Sequence, residues 1–326
     1  MRIGKITENA LKRSVLKQIR TEYKNIKSAA VGTDCAFSDK EDAFSTICPV
    51  TADIPDKGFY AVMKAANSLI AQGIKPDHVT LSILLAKDSE EREIKTIISD
   101  AISACRICGT VIGGGHTEVT KAVNRSIVTA SAFGKRVDVI GSLPADRMPR
   151  AGQDLVVTKW IGLEGTAMLA SVKMDELKKR YPVPFIEGAA AFKKYMDIRD
   201  EAELAGADPS CSVHDISGGG IMASLWEMSE RARCGLEVDL KRIPIRQETI
   251  EICEFFGINP YQLTSAGSLL IACDDGERVV RELGDREINA AVIGSLTDGN
   301  DKIISNDDDR SFVQLPQSDE ILKILG

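Results

Sequence analysis

A linker-like segment at residues 142–152 separates two halves of the sequence that each combine short apolar strands with longer helical patterns. It holds two prolines and a glycine among charged residues, a composition typical of a connection between domains. The chain has 326 residues, and a single hydrophobic core seldom grows beyond about 250–300 residues. We therefore predict two domains, 1–145 and 146–326.

The composition is that of an ordinary globular protein and argues against two kinds of partner. The 41 Lys and Arg against 48 Asp and Glu give a net charge of -7, which repels a nucleic-acid backbone. No apolar run approaches the roughly 18 residues of a membrane span, and the N-terminus lacks the pattern of a secretory signal. We expect a cytoplasmic protein that binds neither nucleic acid nor membrane, and whose eight cysteines are free thiols.

The periodicity of apolar residues predicts helices and strands in both halves, and hence an α+β fold. The predicted helices cover residues 58–73, 91–108, about 186–205 and 220–233, with another beginning near Thr166. The predicted strands cover residues 79–85, 110–112, 127–133, 154–159, 236–240, 268–273 and 290–296. We expect the acidic stretch 307–309 to be a solvated loop, and residues 1–27, which carry eight Lys or Arg, to form a basic amphipathic helix. That helix is either a solvated face packed on the domain or a lid that brings positive charge to a phosphate.

Two glycine-rich stretches are candidates for binding an anion, because glycine lets backbone N–H groups approach a ligand closely. The first follows a short strand and comprises Gly113, Gly114, Gly115, His116, Thr117 and Glu118. It lacks the lysine of a Walker loop and opens no helix, and a simple glycine turn with a surface histidine is the alternative. The second comprises His214, Asp215, Ile216, Ser217, Gly218, Gly219 and Gly220. It ends at a predicted helix N-terminus, which suits phosphate, although a helix cap would explain it equally well.

Three further features have a structural and a functional interpretation. Asp34 follows an apolar run, where a carboxylate can face a ligand or simply cap a turn. Cys105 and Cys108 have the spacing of half a metal site, but no second such pair occurs, and Cys105 lies on the apolar stripe of its helix. The three histidines lack the motifs of a hydrolase triad or a zinc protease.

Taken in order, these motifs resemble a superfamily that includes aminoimidazole ribonucleotide (AIR) synthetase, thiamine-monophosphate kinase, selenophosphate synthetase and a hydrogenase-maturation protein. The resemblance spans nearly the whole chain and is nearest the hydrogenase-maturation branch. Its motifs lie at residues 4–5, 32–36, 60–76, 114–119, 161–166, 214–220 and 265–270.

The resemblance implies a two-domain fold in which the N-terminal domains of a homodimer pair their sheets into a barrel, with a C-terminal domain of α/β type. It also implies ATP and Mg²⁺ in the cleft, and ATP-dependent phosphoryl transfer to a small acceptor or activation of one of its oxygens. The implied catalytic residues are Asp34, His116 and Asp215, and the implied metal ligands are Asp34 and Glu118. The implied nucleotide- and phosphate-binding residues are Asn67, Gly113, Gly114, Gly115, Thr117, Gly218, Gly219 and Gly220.

The sequence departs from this family at several acids. Cys48 and Ser68 stand where relatives carry aspartates, and Thr33 replaces one member of an acidic pair beside Asp34. No cysteine follows Cys273, so we do not expect the dehydration of a carbamoyl thiol that the hydrogenase-maturation relatives perform through a reactive C-terminal cysteine. Because Mg²⁺ requires hard, charged oxygen ligands, two hypotheses stay open. The chain is either an ATP-dependent enzyme or a pseudoenzyme that binds a nucleotide or metabolite and acts on a partner protein.

Overall fold

A computed structural model describes residues 6–23, 30–38, 42–135, 147–315 and 317–326. The predicted boundary at 142–152 lies partly outside these ranges, as do residues 4–5 of the resemblance. Within them, no helix is both long and apolar enough to cross a membrane.

The N-terminal half forms one sheet of five strands with two long helices packed together. The strand order is β1-β2-β5-β3-β4, with β3 and β4 parallel. These strands are β1 (Ala36–Ser38), β2 (Ala43–Val50), β3 (His78–Ala86), β4 (Val111–Thr120) and β5 (Ile127–Lys135). The helices are α1 (Glu8–Leu11), α2 (Lys17–Glu22), α3 (Lys57–Ile70) and α4 (Glu91–Cys108). A π-helical turn, Lys12–Leu16, joins α1 to α2 in a single helical run.

The C-terminal half forms a seven-stranded sheet in the order β12-β11-β8-β10-β6-β9-β7, in which only the β8–β11 pairing is parallel among the described strands. Its strands are β6 (Asp154–Thr158), β7 (Ser212–Ile216), β8 (Gly235–Asp239), β9 (Ser268–Cys273), β10 (Ala290–Thr297), β11 (Lys302–Asn306) and β12 (Asp309–Phe312). Its longer helices are α5 (Leu163–Val172), α7 (Val183–Ala190), α8 (Arg199–Ala207), α9 (Gly220–Ala232), α10 (Gln247–Phe256) and α11 (Gly276–Gly284). Two short helices are α6 (Met174–Leu177) and α12 (Leu322–Leu325).

Most predicted elements are confirmed, and the differences have local causes. The single helix predicted at 186–205 is wrong: the chain runs through α7, a 3₁₀ turn and α8. The break is stabilised by side chains from elsewhere, because Lys159 Nζ donates to the Tyr195 carbonyl (2.9 Å) and Asn67 Nδ2 donates to the Met196 carbonyl (2.7 Å). The stretch 307–309 is exposed, as expected, but only Asp307, at φ 53°, and Asp308 form a turn, because Asp309 begins β12 of the β11–β12 hairpin.

Candidate functional site

Helix α3 brings polar side chains of the N-terminal domain against the C-terminal domain. Twelve of its 14 residues are buried, and its apolar side chains pack on β2, β5 and α4. Four polar residues of α3 and the turn after it face the other domain instead: Lys64, Asn67, Ser68 and Gln72. A group of polar side chains therefore crosses between the two domains within a largely apolar core.

Asp34 and His214, predicted separately, meet in a buried ionic network. His214 Nδ1 lies 2.8 Å from Asp34 Oδ1, and its Nε2 lies 2.9 Å from Glu227 Oε2. Gln72 Nε2 donates to Asp34 Oδ2 at 2.7 Å. Burial lowers the pKa of His214, but the two carboxylates outweigh it and raise that pKa to about 10. His214 is therefore an imidazolium at neutral pH, and it joins Asp34 to helix α9.

Asp215, the neighbour of His214 on β7, lies opposite Ser68. The Ser68 hydroxyl is 3.3 Å from Asp215 Oδ2, whereas Oδ1 is buried and has no hydrogen-bond partner among the described residues. Burial and the charge of Asp34 raise the pKa of Asp215 to about 7, although His214 and Lys64 oppose that rise. A carboxyl group with this pKa can take up or release a proton near neutral pH.

A second buried ion pair crosses the same interface. Lys64 Nζ lies 2.8 Å from Oε1 of Glu164, whose side chain is fully buried at the start of α5. The other oxygen of Glu164 accepts a hydrogen bond from the Thr264 hydroxyl and one from the Ala266 amide (3.2 Å). Burial alone would lower the pKa of Lys64, but the nearby Glu164, Cys48 and Asp319 raise it by more. The net effect is a pKa above that of an ordinary lysine. Lys64 is therefore permanently charged, and it is paired with Glu164 between the domains.

The second glycine stretch forms the N-terminus of α9, as predicted. The N–H of Gly219 there already donates a hydrogen bond to a side-chain carboxylate of the same chain. Gly219, at φ 89°, donates its N–H to Asp319 Oδ2 at 2.7 Å. Thr264 N donates to Asp319 Oδ1 at 3.2 Å. A Cβ on Gly220 would lie 2.7 Å from two backbone oxygens of the 261–263 turn, so this close approach requires glycine.

The first glycine stretch is an exposed strand rather than a loop, which corrects the predicted strand end at residue 112. Gly113, Gly114, Gly115, His116, Thr117 and Glu118 all belong to β4, at the edge of the five-stranded sheet. His116 Nε2 lies 3.1 Å from Glu118 Oε2, and both side chains are about half exposed or more. Glu118 therefore contacts His116, whereas Asp34 contacts His214 and Gln72, so the structure does not bring the two predicted metal ligands together.

The donor set of the cleft does not fit a hard divalent cation. Within the ranges that the structure describes, no three His, Cys, Asp or Glu side chains converge as a metal site. Both oxygens of Asp34 face His214 or Gln72, and Ser68 offers only a hydroxyl. Mg²⁺ prefers several charged or carbonyl oxygens in octahedral geometry, which this arrangement does not supply.

The described part of the basic N-terminal segment, residues 6–23, packs on α9, which favours the first of its two interpretations, while residues 1–5 and 24–27 lie outside the described residues. Lys12 contacts Glu8 and lies 3.1 Å from Glu230 Oε2. The Trp226 indole donates to Glu8 Oε2 at 2.7 Å. The charge of Lys12 is therefore engaged by carboxylates and is not directed at a phosphate.

The Cys105/Cys108 pair is part of the core. Burial raises the pKa of Cys105 to about 11 and that of Cys108 to about 12. The Cys108 thiol lies 3.4 Å from the Met63 sulfur. Protonated, buried thiols are poor metal ligands and nucleophiles, so these residues are structural.

Sequence reasoning missed several members of the cleft: Lys64, Gln72, Glu164, Glu227 and Asp319. Lys64 carried a weak signal, because a lysine four residues before Ser68 interrupts an otherwise apolar helix face. Glu164 belongs to the 161–166 motif of the resemblance but was given no role there, and Asp319 carried no signal. Their partners Thr264 and Gly219 lie 100 residues away along the chain.

Comparison with known proteins identifies the family. The model of the AIR synthase related protein N-terminal domain matches residues 13–135, and that of the C-terminal domain matches residues 150–305. The chain therefore belongs to the AIR synthase related family.

Relatives and solved structures place similar chains in hydrogenase maturation. A putative hydrogenase expression/formation protein of Methanocaldococcus jannaschii is 24% identical over 98% of this chain and 97% of its own length. Carbamoyl dehydratase HypE of Rhodobacter capsulatus is 26% identical over 72% of this chain and 68% of its own length. A HypE–HypF complex has a chain of the same fold, with a TM-score of 0.75, 19% identity and coverage of 93% of this chain and 100% of that one. HypE in complex with ATP has a TM-score of 0.70 at 17% identity, covering 94% of this chain and 96% of that one.

Proposed function

We propose that this chain binds ATP between its domains and uses it for phosphoryl transfer to a small molecule, or for activation of one of its oxygens. The observation that carries the proposal is the polar cluster joining α3 to the second domain, in which Lys64 and Asp215 lie close enough for their charges to interact. Membership of the AIR synthase related family supports it, as does the fold shared with HypE in complex with ATP.

In this proposal, positively charged and N–H-donating groups of the protein neutralise part of the negative charge of the phosphates. Lys64 and the backbone donors near Gly218, Gly219 and Gly220 would attract the phosphates. Asp215, with a pKa near 7, would accept a proton from the acceptor as it attacks. No step is derived through Mg²⁺. Asp34 and Glu118 remain its predicted ligands, and the donors around Asp34 argue against a strong site.

The homodimer remains a prediction that would bring β4 to an interface. As an edge strand, β4 presents unpaired backbone groups along one side, and Val111 and Val119 are about 60% exposed. Pairing of two such edges would place Gly113, Gly114, Gly115, His116 and Thr117 beside a partner subunit, where they would cradle a phosphate. Asn67 lies away from this edge, buried between the domains with its Nδ2 on the Met196 carbonyl.

A thermal-shift titration with ATP, ADP and AMP, each with Mg²⁺ or with EDTA, tests the proposal. A ligand at about 100 times its Kd stabilises the fold by roughly 2.7 kcal/mol, which moves the melting temperature measurably. We expect ATP to stabilise the protein in both conditions. Failure of all three nucleotides to stabilise it would reject nucleotide binding.

The second candidate function is a pseudoenzyme that acts on a partner protein, and the uncharged side chains of Cys48 and Ser68 favour it. The HypE–HypF complex shows that a chain of this fold can form a complex with another protein. The double variant Cys48→Asp/Ser68→Asp separates the candidates. If these positions are the lost metal ligands, it should gain Mg²⁺-dependent ATP affinity, whereas unchanged affinity with an intact fold would reject that assignment.

A further inference from the structure

A cavity of about 230 Å³ lies where the N-terminal helical run meets the start of α9 and the segment that carries Asp319. This volume accommodates a small organic molecule rather than a single water. The apolar side chains that line the cavity are Ile6, Leu11, Val31 and Ala223. A ligand of this cavity therefore needs a compact apolar body.

The charged side chains that line the cavity all have the same sign. Three of its ten described lining residues are acidic, namely Glu8, Glu227 and Asp319, and none of the ten is Lys, Arg or His. Carboxylates beside an apolar wall are poorly solvated, so a positively charged group is favoured next to them and an anion is disfavoured.

The present partners of two of these carboxylates lie outside the cavity lining. Glu8 contacts Lys12 through one oxygen and accepts the Trp226 indole N–H through the other. Glu227 shares the imidazolium of His214 with a second carboxylate. An ionised carboxylate offers about four acceptor positions, so these contacts leave room for the N–H groups of a bound ammonium.

The surroundings of Asp319 show a shortage of positive charge. Its carboxylate accepts the N–H groups of Gly219 and Thr264, and yet burial raises its pKa above that of an ordinary aspartate. The charge of Lys64 lowers this pKa, whereas Glu164, the ion-pair partner of Lys64, raises it. A cation in the cavity would therefore stabilise the ionised form of Asp319.

We propose that the cavity binds a small organic cation, whose ammonium group is held by the lining carboxylates and whose compact apolar body packs on the four apolar side chains. The cavity then selects its ligand by charge, and neutral or anionic molecules of the same shape bind more weakly. Because this inference requires neither ATP nor Mg²⁺, it can hold even if the proposed function fails.

The test is isothermal titration in EDTA, without nucleotide, using benzylammonium, benzyl alcohol and benzoate. These probes are close in shape and differ in charge. We expect benzylammonium to bind at least tenfold more tightly than benzyl alcohol, and benzoate to bind more weakly than either. Equal affinities for benzylammonium and benzyl alcohol, tighter binding of benzoate, or no binding of benzylammonium would each overturn the proposal.

Glu8→Gln removes one lining charge with little change of shape, because glutamine can still accept the Trp226 N–H. We expect it to weaken benzylammonium binding at least threefold and to leave benzyl alcohol binding unchanged. Glu22→Gln is the matched control, because Glu22 belongs to the same helical run, is exposed and does not line the cavity. Equal effects of the two variants, whether a loss in both or in neither, would overturn the proposal.

The indole of Trp226 reports where the ligand binds, because it donates to Glu8 Oε2 at 2.7 Å. The chain has one other tryptophan, Trp160, so Trp160→Phe leaves Trp226 as the single indole fluorophore. We expect benzylammonium, and not benzoate, to shift the Trp226 emission over the concentrations that titrate in calorimetry. Binding without such a shift would place the ligand elsewhere and would contradict the proposal.

Discussion

The two glycine-rich stretches carry similar residues and end in opposite environments. In the first, His116 is 66% exposed and contacts a single carboxylate, that of Glu118, on the edge strand β4. In the second, His214 is 5% exposed and lies between two carboxylates, those of Asp34 and Glu227. Position in the fold, and not the local motif, determines which histidine forms part of the cleft.

The contacts of the two histidines should differ greatly in how much they contribute to the free energy of unfolding. Exposed ion pairs contribute about 0–1 kcal/mol, because water screens them and side-chain order opposes them. Removing one partner of a buried pair costs about 3–5 kcal/mol, because it leaves an uncompensated charge in a medium that solvates it poorly. The two histidines therefore provide matched tests within one chain.

The largest predicted effect is that of His214→Ala. Without the imidazolium, Asp34 and Glu227 face each other across a buried space, and we expect the free energy of unfolding to fall by about 3–5 kcal/mol. Urea denaturation measures it, with His116→Ala as the control expected to stay within about 0.5 kcal/mol of the wild type. Equal losses in the two variants would contradict the contrast drawn here.

The next effect concerns why β4 contains glycines at all. A Cβ on Gly115 would lie 2.1 Å from the Leu81 carbonyl oxygen of the neighbouring strand, so Gly115→Ala must push β3 and β4 apart. We expect a loss of about 1–3 kcal/mol in urea denaturation. An unchanged free energy of unfolding would mean that strand packing does not require the glycines, and it would favour their predicted role in binding phosphate.

A further effect is the pH dependence that His214 imposes. Its pKa is raised from 6.5 to about 10 in the folded protein, so the stabilisation is complete below pH 6.5 and is lost as the pH rises through 10. Unfolding free energies measured between pH 6.5 and 10 should fall more steeply in the wild type than in His214→Gln. Parallel curves would show that His214 is not held as an imidazolium.

The contrast between local pattern and position in the fold also explains which features could be predicted from the sequence. Helices α3 and α4 were predictable because each shows a clear apolar period, and strand β9 because it is a short apolar run. The meeting of Asp34 with His214 was not, because it depends on the packing of one domain against the other. Lys64 and Glu164 likewise acquire their meaning from a partner 100 residues away, and single-chain periodicity carries no information about such pairs.

The last prediction concerns Asp215→Asn, and it tests whether the interface between the domains holds a titrating carboxyl group. The pKa of Asp215 is raised from 3.8 to about 7, because burial and Asp34 disfavour its charge. The folded state therefore retains a proton that the unfolded state releases, and this stabilisation, complete below pH 3.8, is lost as the pH rises through 7. Asparagine has the same shape without the charge, so the stability of Asp215→Asn relative to the wild type should rise between pH 4 and 8, by up to about 4 kcal/mol at about 1.4 kcal/mol per pKa unit. Ser68→Ala serves as the control, since it removes the neighbouring hydroxyl and leaves the carboxyl group in place. A relative stability that does not change with pH in Asp215→Asn would mean that Asp215 stays ionised, and it would then be unsuited to accept a proton from an acceptor at neutral pH.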